Sequence, residues 1–542
     1  MTDYLSGFLD IINAPTSSPF SFKDLSGFPS TEYYHRQQVY TECEYWYTGQ
    51  VLEETVMRAG EAIETYPVRA NPLPGAVQKH VASLFGISEV EEDDRPLVIP
   101  RVVPKGDDDA EKEAAKKAED VLYEIWYESS GRGIQYENGA CSQIYGGCVF
   151  KVNYDPLDGL RSNKVRIESI HPKYFVGRPD ATDYFKLREA WIVKPISYEE
   201  ALTEHGVAIK EDYPNQTAWL VEHWTLTKIE VTVNNVPAKR QLADGTWKTV
   251  TGPNPWGFIP IVYIPHTRSY GFYGENLFDN VKGIVKELNL RIADYGDAVS
   301  VDSHSYLGMR NVQGAPTIQQ LAPGLNVVNL QSTPNISGQE PVPDIFELRK
   351  PLASAPMGAL VVELYDQYRR DAFIPKVADG EDEGSQRSGL TLAMRMLPLV
   401  WHTCIERVFW TTGMNLLNRM VLKICAIKKE AGITIEQSML RIKQEWSPVL
   451  PRDQEMLVNE IATLVAAKSL SIERAVEMQG VDDINEEREL ILSFWEELEK
   501  RLAKVQAEYG PQLQQPFGGK PSSSSSSASS ASTKATANQS TE

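Results

Sequence analysis

Between Trp256 and Arg407 the apolar positions change period several times, and each change predicts an element. Phe258-Ile259-Pro260-Ile261-Val262-Tyr263-Ile264-Pro265 is a proline-bounded apolar run of strand length. Leu277, Val281, Ile284, Leu288, Ile292, Tyr295 and Val299 then recur at steps of three and four. That spacing predicts one buried stripe on a helix from about Glu275 into the 299–304 region. At 1.5 Å per residue, roughly 30 residues span about 45 Å, longer than most enzyme domains need. Residues 307–350 break the period with Gly308, Gly314, Pro316, Pro323, Gly324, Pro334, Pro341 and Pro343 around a strand-like stretch from Leu325 to Leu330. A second helix is expected over about 356–373, which puts the insert at the far end of an antiparallel pair. Residues 376–388 contain Gly380-Glu381-Asp382-Glu383-Gly384 and Gln386-Arg387, a composition that forbids a packed helix or buried strand and predicts an exposed loop. From about Ser388 to Lys429 the helical pattern returns, with Pro398 removing a backbone donor and predicting a kink.

Upstream, residues 31–60 are rich in aromatics and glutamates, and Gly75 to Phe85 reads as a short helix after Pro72 and Pro74. Asp107-Asp108-Asp109 precedes a helical run from Ala110 to Ala118 and is read as its acidic N-terminus rather than as a metal site, with Glu113 and Lys117 at i,i+4 spacing. From Gly146 to Ile264 the pattern is strand-like: residues 148–154, 165–170, 190–193, 219–224 and 229–233 are β-rich runs separated by turn chemistry, and 197–204 reads as one short helix. Helices followed by strands and helices again give an α+β chain. Beyond Pro451 the sequence is helical and acidic, residues 452–508 holding 7 basic and 14 acidic side chains. Residues 521–542 are mostly Ser, Ala and Thr, too little apolar surface to offset ordering, and disorder is expected there.

Length changes the picture first: 542 residues exceed a single core and imply several domains. Cys43, Cys141, Cys148, Cys404 and Cys425 form no CxxC pair and are odd in number, which fits a reducing compartment. No basic leader with an apolar core opens the sequence and no apolar run approaches 18 residues, so a cytosolic, membrane-free life is expected. Phosphate-loop, HExxH and GxSxG patterns are absent. The eight histidines, His35, His80, His171, His205, His223, His266, His304 and His402, show no ligand spacing, and each is read as structural or superficial. No catalytic residue, metal ligand or cofactor is therefore assigned.

Four motifs in order resemble the portal proteins of tailed bacteriophages. Asn254-Pro255-Trp256-Gly257-Phe258-Ile259-Pro260-Ile261-Val262 is similar to the portal strand, and Tyr273-Gly274-Glu275-Asn276-Leu277 to the start of the first stem helix. Gly389-Leu390-Thr391-Leu392 with Pro398-Leu399 is similar to the helix after the tunnel loop. Trp446-Ser447-Pro448-Val449-Leu450-Pro451-Arg452-Asp453 with Ser471-Ile472-Glu473 resembles the passage into the crown.

The resemblance implies a portal fold: a mixed α/β wing (1–274), a first stem helix (275–306), a small α/β clip (307–350) and a second stem helix (351–375). A tunnel loop (376–388), a long kinked helix with a return strand of the wing (389–450), an α-helical crown (451–515) and a disordered tail (516–542) would follow. It implies a ring of twelve subunits at a capsid vertex, made in the bacterial host cytoplasm, that packages and ejects double-stranded DNA. Terminase, a head–tail adaptor, and major capsid and scaffolding proteins would be its partners. By the same resemblance Lys376, Glu381, Asp382, Glu383 and Arg387 would face DNA, Lys282 and Lys286 would line the stem, and Arg310, Asn326, Asn329, Asn335 and Glu340 would form the clip's docking surface. A net charge of −20 would then let a polyanion slide without trapping, although acidity also simply keeps a protein soluble. The alternative is a multidomain β-rich enzyme whose catalytic acids are dispersed beyond motif reading.

Overall fold

A computed structural model of the chain describes residues 27–51, 70–86, 96–106, 108–156, 159, 161–209, 217–241, 245–268, 271–303, 306–310, 326–330, 344–348, 354–381, 389–450, 463, 490–498 and 500–501. Two compact units divide the chain, Met1–Pro451 and Arg452–Glu542. In the first, helices α1 (Ser30–Thr48) and α2 (Leu73–Phe85) precede strand β1 (Val98–Val103) and helices α3 (Asp109–Glu128) and α4 (Gly131–Tyr145). Strands β2 (Gly147–Tyr154), β3 (Val165–Ile170), β4 (Phe175–Pro179) and β5 (Leu187–Ser197) lead into the short helix α5 (Tyr198–Thr203). Next come β6 (Thr217–Thr225), β7 (Lys228–Val233), β8 (Val236–Pro237), β9 (Lys239–Gln241), β10 (Trp247–Thr249), β11 (Gly252–Pro253) and β12 (Ile261–Pro265). Helix α6 (Lys282–Ser303), strands β13 (Tyr306–Arg310), β14 (Asn326–Leu330) and β15 (Asp344–Leu348), helices α7 (Ser354–Asp371) and α8 (Gly389–Lys428), and strand β16 (Arg441–Trp446) complete the unit.

One boundary differs from the sequence expectation, and two elements have no counterpart in it. Helix α6 begins at Lys282, not at Glu275, because the Asn276 side chain accepts from the amides of Phe278 and Asp279, holding 276–281 in a turn. Helix α4 has no counterpart in the sequence reading: it carries three glycines, and Gln135, Asn138, Ser142 and Gln143 are buried on it. Packing decides it, since a Cβ at Gly139 would sit 2.7 Å from the Phe85 ring, so the glycine lets α2 approach. Strand β1 was missed around Pro100; it belongs to a two-stranded sheet, where a missing donor is tolerated. Helix α8 spans Gly389–Lys428 as expected with Pro398 inside it, and the carbonyl of Met394, which loses its donor there, belongs to an exposed residue that water reaches.

Strands β12, β2 and β3 form one antiparallel sheet, and β11-β7-β6-β5-β4, with β8 on β7, a larger one. The larger sheet is covered on both faces, by a cluster around Phe175, Ile192 and Tyr263 and by one of Phe28, Tyr33, Trp191 and Trp219. The main core joins the helices to the smaller sheet through an aromatic chain. Trp126 meets Phe150 edge-on, Phe150 meets Trp410, and Trp410 meets Phe85, with centroids 6.2, 6.0 and 5.5 Å apart. The C-terminal half of helix α8 is therefore built into the core, its Trp410 fully buried. In the second unit the described residues 490–498 are helical, with Leu490, Leu492, Phe494 and Trp495 exposed.

Candidate functional site at the root of the helix pair

Helices α6 and α7 pack antiparallel. Strand β13 leaves α6 and pairs antiparallel with β15, which feeds α7, so both helices reach the insert at the same end. A Cβ added at Gly358 near the start of α7 would lie 3.3 Å from the Tyr295 ring near the end of α6. The insert itself is a three-stranded sheet, β14-β13-β15, of which the sequence had offered only the middle stretch. Its described residues are all strand; no helix of the expected α/β clip lies among them. The pair is anchored below by a backbone corner: Asn289 donates to Ala70 O and accepts from Ala70 N, both at 2.9 Å, and Tyr368 Oη donates to Pro72 O at 3.2 Å.

The expected single buried stripe of α6 holds only at its base. Leu277, Val281, Val285 and Leu288 are buried, whereas Tyr295 and Val299 are exposed, because only α7 covers the helix once it leaves the body. On α7 Leu360 and Val362 are exposed as well.

At the exit of α7, Arg369 organises the start of the loop. Its guanidinium meets Asp379 and Glu381 at 2.9 Å and Asp366 at 3.6 Å, and lies 4.4 Å over the Tyr365 ring. Lys376 pairs with Asp366 at 2.8 Å, and Lys79 pairs with Asp379. The hydrogen bonds from Arg369 and Lys376 hold the Glu381 and Asp366 carboxyls below their ordinary pKa. Residues Lys376–Asp379 form a 3-10 turn closed by Gly380 in the left-handed region, where glycine fits without strain. The first part of the expected exposed loop is thus a fastened turn, and Lys376 and Glu381 are engaged within the chain. Asp382, Glu383 and Arg387 lie outside the described residues.

Of the other expected site residues, Lys282 bonds Glu42 and Asp279, each at 3.1 Å, which ties the base of α6 to α1; Lys286 is exposed. Arg310, Asn326 and Asn329 lie on the insert's strands, Met309 and Asn329 being register partners, while Asn335 and Glu340 fall outside the described residues.

Sequence reading missed a buried cluster beside this root. The eight histidines show no ligand spacing in sequence, yet the His402 ring lies 4.9 Å from that of His80 and 5.3 Å from that of His266. The signal available was His402 and Glu406, one turn apart on α8. Glu406 is fully buried; Oε1 accepts from Gln143 Nε2 at 2.5 Å and pairs with His266 Nε2, while Oε2 has no partner among the described residues. His266 Nδ1 donates to Glu275 O at 2.9 Å. Burial raises the cost of charge on both, but their mutual attraction wins, lifting the His266 pKa and lowering that of Glu406. Burial pushes His402 down to about 4, so it is neutral, with Nδ1 4.0 Å from Glu406 Oε1. Phe373 stacks on His402 at 4.8 Å, and His80 Nε2 donates to Ala372 O at 2.8 Å, so the exit of α7 closes the cluster.

Helix α8 carries a second unexpected feature. Met394, Leu397, Trp401, Ile405 and Val408 follow steps of three and four and are 37–65% exposed, while Leu399, Thr403, Glu406 and Trp410 on the opposite face are buried. A helix apolar on both faces requires cover on both.

Among family models, one described as phage portal protein, SPP1 Gp6-like, matches residues 204–504, more than half of the chain. No curated protein matches the chain.

Proposed function

Because the chain belongs to the family of SPP1 Gp6-like phage portal proteins, we propose that it forms a ring channel at one capsid vertex, through which double-stranded DNA is packaged and later ejected. The family is structural rather than enzymatic, and its role is DNA packaging; the mixed helix-and-sheet architecture is compatible with it. No described helix is long and apolar enough to cross a membrane. In this reading the body is the wing, α6 and α7 are the stem, the insert is the clip that docks terminase and later the adaptor, and residues 376–388 are the tunnel loop. Twelve copies close the ring.

The observation that carries the proposal is the exposed apolar face of α8, together with the exposed Tyr295, Val299, Leu360 and Val362 of the helix pair. A second copy of this chain is the occupant that a ring supplies on every such face at once. DNA, a polyanion, gives no reason for this apolar surface; the neighbouring subunit does.

Negative-stain images of the purified full-length chain test this. Rings with an axial hole are expected for the wild type, and folded monomers for Trp401→Glu combined with Ile405→Glu. Wild-type protein that stays monomeric at micromolar concentration, or rings undisturbed by both charges, would overturn the assembly assigned here.

A further inference from the structure

We infer that His266, His402 and Glu406 form a structural site for a divalent transition metal of the zinc class. The candidate ligand atoms, one per residue, all lie within 4.8 Å of one another in a buried position. Two neutral imidazole nitrogens and one carboxylate oxygen are a donor set that zinc accepts, leaving a fourth position for water.

The surroundings fit metal ligation better than a bare ion pair. A ligating histidine usually donates its second nitrogen to a carbonyl or carboxylate, which fixes the tautomer. His266 does this through Nδ1 to Glu275 O at 2.9 Å, which turns Nε2 towards Glu406. A ligating carboxylate is usually held by a donor, and Gln143 Nε2 supplies it at 2.5 Å. What the ion pair leaves unsatisfied is what a cation would use. Glu406 Oε2 and His402 Nδ1 are both buried without a hydrogen-bond partner among the described residues. The 4.0 Å from that nitrogen to Glu406 Oε1 is too long for a hydrogen bond, and a small rotation of the His402 ring that closes it to about 3.4 Å would put both atoms about 2.1 Å from one tetrahedral ion.

Binding exchanges one cation for another. A proton held between His266 Nε2 and Glu406 leaves to solvent, the nitrogen lone pair goes to the metal, and the contact with Glu406 opens to ligand spacing. The ligands come from the end of β12 and from α8, and His80 and Phe373 press α2 and the exit of α7 against His402. A metal here would lock the base of the helix pair to the helix that follows the loop. The inference does not depend on ring formation.

The test uses the full-length chain with the exposed Cys404 changed to Ser, so that no surface thiol competes. The protein is stripped with chelator, dialysed against Zn²⁺ and analysed for metal per subunit; Co²⁺ serves as the spectroscopic probe. One zinc per subunit, a tetrahedral Co²⁺ absorption band and a higher unfolding temperature with metal are expected. His402→Gln, which keeps a neutral polar group on the half-buried side of the cluster, should lose the band and bind at least tenfold more weakly while retaining near-ultraviolet circular dichroism. Glu406→Gln should do the same if it folds. Absence of stoichiometric zinc in the stripped wild-type background would overturn the site, as would equal retention by His402→Gln.

Discussion

Single residues in this chain act mainly by satisfying burial. Lys151 is almost fully buried and meets both oxygens of Glu222 at 2.8 and 3.0 Å, while Trp224 Nε1 donates to the same carboxylate at 2.9 Å. Burial alone would raise the Glu222 pKa, but Lys151 and the two hydrogen bonds outweigh it and hold the pKa below the ordinary glutamate value. A depressed folded-state pKa means that the pair's contribution is complete above the unfolded value of about 4.3 and is lost as pH falls through the folded one. Lys151→Met should remove that protection and leave an unpaired buried carboxylate, costing roughly 3–5 kcal/mol at neutral pH. Thermal unfolding against pH checks this: the variant's deficit should be largest near pH 7 and shrink in acid, and a deficit independent of pH would contradict it.

Elements are positioned by close approaches that glycine permits. A Cβ at Gly413 on α8 would lie 2.5 Å from Ile264 Cγ1 on β12, so the helix rests directly on the sheet. Gly413→Ala should cost about 1–3 kcal/mol by overpacking, whereas Gly296→Ala on α6, where nothing lies within 4 Å, should gain up to about 1 kcal/mol in helix propensity. Opposite shifts of the unfolding midpoint are the expected readout. The same logic explains the Tyr273-Gly274-Glu275 motif: a side chain at Gly274 would meet Gly146 O at 2.2 Å, closing off the turn that starts the helix pair. At the exit of α7, Arg369→Met should release Glu381, leave Asp379 held by Lys79 alone, and expose the 376–381 turn to limited proteolysis. Glu381→Gln alone should change little, since water screens a pair made by an exposed carboxylate. Equal cleavage of both variants would show that Arg369 is not the fastener.

At the scale of the whole molecule, the three-stranded insert stands at the far end of two antiparallel helices. If it docks the packaging motor, deleting residues 334–343, with its three prolines and one glycine, should leave rings intact and abolish terminase binding in a pull-down. Rings that fail to form, with motor affinity unchanged in the remainder, would place the segment in assembly instead.

The sequence by itself determined the alternation of elements. The three-and-four spacing from Leu277 to Val299 made α6 a helix, alternating β-rich runs made β2, β3, β6 and β7, and proline and glycine marked where the helix pair stops. These signals are local, set by backbone geometry and side-chain period. Helix α4 and strand β1 were illegible because glycine, proline and polar residues there owe their conformation to neighbours distant in sequence, Phe85 and β16. Tertiary structure alone decided which charges are free: Lys376 and Glu381 read as loop residues, but Asp366 and Arg369 claim them. It also gathered His80, His266, His402 and Glu406, hidden because their spacing exists only where α2, β12 and α8 cross. The apolar outer face of α8 was likewise indistinguishable from core in one dimension, since apolar side chains show which surfaces must be buried but not whether the cover comes from the same chain or from the next copy.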